Sequence, residues 1–115
     1  MTRLYRVAFW AAAVFAFVMA LLPHPPQLPG APSDKVQHIA AFVTLAALGA
    51  AAYRSTSLLR LLVGLSAFGA VIEVLQSIPA LNRDSDPVDW LADTIAAALV
   101  LAVVFWRRKQ VAVRK

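Results

Sequence analysis

Cysteine is missing from this chain of 115 residues. Its absence excludes a disulfide framework, a thiolate nucleophile and any thiolate-ligated zinc or iron-sulfur site. Histidine is scarce as well. His24 and His38 form neither an HxxxH nor an HExxH spacing, so the metal signal is one imidazole with carboxylates, and neither a metal nor a cofactor is expected. No GxSxG element supplies a serine nucleophile. Charge is sparse too: 15% of the residues are Asp, Glu, Lys or Arg, against 61% hydrophobic. That is too little polar surface to cover a soluble globule, and lipid is the expected solvent.

What is present is a succession of apolar segments with polar punctuation. Val7 to Leu22 is an uncharged run of sixteen residues behind Arg3 and Arg6, and five prolines between positions 23 and 32 stop it. The Val18-Met19-Ala20 triplet gives a cleaved leader as the rival reading of this run. Ser33 is a plausible N-cap for a second helix carrying Asp34, Lys35 and His38 in its opening turns. A third apolar stretch carries Glu73 and Gln76 and stops before Pro79. In a fourth, Asp86, Pro87 and Asp89 form a helix-start signature. The pattern predicts an all-α, integral membrane four-helix bundle, with helices at about 5–22, 34–53, 59–78 and 87–106 and a basic tail at 107–115. Glu73 and Asp93 are expected to lie about 9 to 11 Å below their helix ends.

Charge then orders these segments. All six acids, Asp34, Glu73, Asp84, Asp86, Asp89 and Asp93, fall on one side of a four-span arrangement, where only Lys35 and Arg83 join them. Nine of the eleven Lys and Arg residues fall on the other. The positive-inside rule then makes both termini cytoplasmic, and the net charge of +5 reflects topology and contact with anionic headgroups, not nucleic-acid binding. Tyr5, Tyr53 and Trp106 should settle at the inner boundary and Trp90 at the outer one. Small residues, among them Ala46, Gly49, Ala50, Gly64, Gly69 and Ala96, should let helices approach closely.

Helical spacing collects the polar groups onto shared faces: Asp34 with His38, Glu73 with Gln76, Asp86 with Asp89, Asp89 with Asp93. Ionisable groups are costly in hydrocarbon, so these faces should converge inside the bundle near its outer surface. His38, Glu73 and Asp89 are the candidates for acid-base chemistry. Asp34, Lys35, His38, Glu73, Gln76, Arg83, Asp89 and Asp93 are the candidates for ligand binding. Most also have a structural reading: Asp34 and Asp86 as helix-start charges, Lys35 and Arg83 as their ion-pair partners, His38 as a satisfied interior imidazole, and Gln76, Ser66 and Thr94 as interhelical hydrogen-bonding groups, whereas Glu73 and Asp93 have no helix end near them to explain their charge.

The run Asp34-Lys35-Val36-Gln37-His38, then Gly69 with Glu73 and Gln76, then Arg83, Asp89 and Asp93-Thr94-Ile95-Ala96, resembles the VanZ-like family of small membrane proteins. Asp93 stands where that family usually has Asn, and Ala96 where it usually has Gly. The resemblance implies a single membrane domain over 1–115 in a bacterial cytoplasmic (inner) membrane. The family is named for a member associated with low-level teicoplanin resistance. The expected function is an extracytoplasmic pocket binding an envelope lipid headgroup or a lipid-linked cell-wall glycan, with a link to glycopeptide resistance. Its expected partners are membrane lipids, a lipid-linked envelope precursor or glycopeptide, and further copies of the chain in a homo-oligomer, with no nucleic acid. A membrane-embedded hydrolase of a lipid-linked substrate and a small proton-coupled transporter are the alternatives.

Overall fold

The computed structural model describes residues 2–22, 34–81 and 86–114; Arg83, Asp84 and the proline-rich connector lie outside that set. Every described element is helical: α1 (Thr2–Leu21), α2 (Asp34–Ala52), α3 (Leu58–Gln76), a 3-10 turn at Pro79–Leu81, and α4 (Pro87–Arg114). The bundle is elongated, 54 × 26 × 26 Å. α2 lies at its centre, packed most extensively on α4 and α1.

Local chemistry explains the boundaries. Extended backbone at Ser57 lets its Oγ accept from the Arg60 amide at 3.2 Å, which caps α3. Asp86 Oδ1 accepts from the Val88 amide at 2.9 Å, and Pro87 occupies the first helical position of α4. Beyond it no glycine or proline interrupts the sequence, so α4 continues through the expected basic tail to Arg114 instead of ending near Trp106. α3 is shorter than expected. It ends at Gln76, with Ser77 as C-cap, and the chain turns into Pro79–Leu81.

Half of the core is made of small side chains. Four of the eight residues in the core cluster are alanine (Ala13, Ala46, Ala50, Ala97), and Leu45 is its one large, fully sequestered side chain. Large apolar groups such as Leu4, Phe15, Val63, Val74, Leu99 and Phe105 point outward instead. A soluble bundle would reverse this distribution, whereas helices in lipid gain by close backbone approach and lose nothing by exposing Leu or Phe. α1, α3 and the Pro87–Val113 part of α4 are long and apolar enough to cross a membrane. The apolar part of α2, Val36–Ala52, is shorter, rising about 25 Å.

Contacts between helix ends set the directions of the four helices. Near the start of α1, Arg6 Nε donates to Ala52 O at 3.2 Å; near the end of α4, Arg108 Nη2 donates to Ala50 O at 3.0 Å. Both carbonyls belong to the last turn of α2, whose oxygens have no partner within their own helix. The arginines thus cap α2 from two neighbours and complement the negative end of its dipole. At the opposite end, Gln76 Nε2 donates to Ala20 O at 2.8 Å, so α3 caps α1 in the same way. The start of α1 therefore shares one end of the bundle with the ends of α2 and α4, so both described chain ends are on that side.

Glycine has two clear packing roles. A Cβ on Gly69 would meet Phe42 Cζ at 3.2 Å and Trp90 Cδ1 at 3.3 Å, and one on Gly49 would meet Phe9 Cε1 at 3.1 Å. Gly64 was expected to serve likewise but faces open space, with nothing within 4 Å of a built Cβ.

Candidate functional site at the acidic end

Asp93 is the centre of the polar cluster. It lies six residues inside α4, about 9 Å beyond Pro87, and is only 4% exposed. Its Oδ2 is 3.8 Å from His38 Nδ1 on α2, too long for a direct hydrogen bond and short enough for strong attraction if the imidazole is protonated. Its Oδ1 is buried and accepts no hydrogen bond from any described residue. Glu73 from α3 and Asp89 from the first turn of α4 both lie within electrostatic reach of it. Three helices thus contribute ionisable groups around Asp93: His38 from α2, Glu73 from α3 and Asp89 from α4.

The remaining candidates have different positions. Asp34 and Lys35 begin α2, with side chains outside the described set, and Arg83 lies outside it altogether. Gln76 is 2% exposed and turns its amide nitrogen to α1, away from solvent. Glu73 is nearer its helix end than expected. Because α3 stops at Gln76 and not near Ile78, Glu73 belongs to the last turn, about 4.5 Å from the end of the helix. Among the described residues, no group of three His, Asp or Glu side chains is arranged to hold a metal ion.

A hydroxyl and indole seam joins α3 to α4 beside the cluster. Ser66 Oγ and Thr94 Oγ1 are 3.1 Å apart, and Trp90 Nε1 donates to Ser66 O at 2.9 Å. Trp90 was expected in an outer aromatic belt. It stands in the first turn of α4 and is half-buried there, because Gly69 leaves room for the indole and the Ser66 carbonyl satisfies its N–H.

Sequence reasoning also missed the capping by Arg6 and Arg108, reading both only as charges that orient the chain. A signal was available: Tyr53-Arg54 follows Ala52 where a glycine would normally close a helix, so the carbonyls of α2 need donors from elsewhere. At that end Arg6 also stacks over Tyr53, 4.7 Å from the ring centre, and Trp10 Nε1 donates to the Tyr53 hydroxyl at 2.8 Å.

Comparisons with protein-family models, curated proteins and solved structures give no match to this chain. Geometry and residue chemistry therefore carry the functional reading.

Proposed function

We propose that the chain is a four-span VanZ-like protein of the bacterial cytoplasmic membrane, with both termini cytoplasmic and the acidic end facing outward. There it binds an envelope lipid headgroup or a lipid-linked glycan. The observation that carries this reading is the Asp93 carboxylate, buried beside His38 with one oxygen that accepts nothing from the described residues. A carboxylate in that position is costly unless a proton or a cationic group meets it. Amino groups of zwitterionic headgroups and of aminated glycans have the matching charge, and Lys35 and Arg83 are the residues assigned to the accompanying phosphate.

The test is native mass spectrometry of protein extracted in mild detergent. The parent should retain one lipid class that Asp93→Leu and His38→Ala both lose while remaining helical by circular dichroism. Identical retained lipids in parent and variants would refute the proposal. The His38 and Asp93 pairing also favours acid-base chemistry as a second reading. That reading requires product formation from the retained lipid, abolished by His38→Ala.

A further inference from the structure

The opposite end of the bundle holds a second feature, independent of the acidic cluster. The connection between α2 and α3 and the distal part of α4 border an open groove of about 610 Å³. Arg54, Arg108 and Lys109 line it, and among the described residues no carboxylate does. The first turn of α3, with Ser57 and Leu58, forms another part of its wall. We infer that this groove is a binding site for the phosphate of an anionic phospholipid, with an acyl chain laid along Leu59 and Phe105.

Several observations favour a lipid. The cations are differently engaged: Arg108 is anchored on Ala50 O, whereas Arg54 and Lys109 are exposed. Lys109 Nζ lies 5.0 Å from the Phe105 ring centre, so its ammonium is held at the boundary between polar groove and apolar surface. Leu59 and Phe105 are 70% and 52% exposed beside these charges, and Val63, one turn further along α3, continues the apolar face. A phospholipid has this order of parts: an anion at the headgroup and hydrocarbon immediately below. Amides at the start of α3 add partial positive charge toward the groove. A soluble phosphate would use the cations but leave the apolar wall uncovered.

The experiment uses the full chain in mild detergent and compares retention of phosphatidylglycerol with phosphatidylcholine by native mass spectrometry. The parent should prefer phosphatidylglycerol. The double variant Arg54→Gln/Lys109→Gln should lose that preference roughly tenfold, because each cation near the surface contributes to anionic-lipid attraction. Arg3→Gln/Arg107→Gln removes the same charge without touching the lining and should stay within roughly twofold of the parent. Arg108 is left in place because it caps α2. Equal losses in both double variants would mean diffuse attraction and overturn the site. No preference in the parent, or displacement of the lipid by inorganic phosphate, would overturn it as well.

Discussion

Replacing Gln76 by leucine asks whether this buried amide holds the helices together or serves a ligand. Its Nε2 lies 2.8 Å from Ala20 O, and both residues are buried. Leucine keeps most of the volume but removes the donor, leaving a carbonyl in the last turn of α1 without that partner. In a soluble protein such a loss costs about 1–3 kcal/mol. Polar contacts between membrane helices average nearer ~0.6 kcal/mol, with a maximum of about 1.7. A loss of about 1 kcal/mol is therefore expected for Gln76→Leu. Gln76→Glu should lose more when ionised, since it sets a carboxylate oxygen against the same carbonyl. Reversible SDS titration in mixed micelles, followed by far-UV circular dichroism, reads both. If Gln76→Leu matches the parent and Gln76→Glu is no worse than Gln76→Leu, the capping argument is wrong. Altered lipid retention without loss of stability would return Gln76 to the binding residues.

Gly69→Val should destabilise by about 1–3 kcal/mol in the same titration, because Phe42 and Trp90 already crowd the position. Gly64→Ala, facing open space, should be neutral or stabilising by up to about 1 kcal/mol; equal effects at the two sites would contradict the packing. Arg108→Gln should cost about 1 kcal/mol by removing the cation at the end of α2, whereas Arg107→Gln, exposed on the neighbouring face, should change little. For His38→Ala and Asp93→Asn, a double-mutant cycle should give a coupling of at least about 0.5 kcal/mol, and additivity would separate the pair. In intact cells an impermeant thiol reagent should label Asp84→Cys and spare Ser57→Cys; the reverse would invert the proposed orientation.

The helical class and the start of α4 were legible because proline and the Asp86 side chain act locally. The approach of His38 to Asp93, 3.8 Å apart across α2 and α4, agrees with the expectation that groups costly in hydrocarbon turn toward the bundle interior. Helix ends without such local markers were not readable. Pro79 suggested that α3 reached Ile78, but the helix stops earlier, at Gln76, which alters the depth of Glu73. The run of α4 past Trp106 was hidden because a change from apolar to basic residues resembles a boundary although the backbone has no reason to break. Trp90, Arg6 and Arg108 were read incompletely for another reason. Their hydrogen-bond partners, Ser66, Ala52 and Ala50, belong to other helices, and no pattern within a single segment reports such contacts.

Arg6 and Arg108 link two stages in the life of the protein. In the orientation proposed above they are topogenic charges, read during insertion, and in the assembled bundle they hold the end of α2. Attempts to invert the protein by deleting charge at these two positions would confound misorientation with misassembly. Arg3, Arg54, Arg60 and Arg107, whose side chains are exposed, are the places where sidedness can be re-engineered while the folded bundle survives.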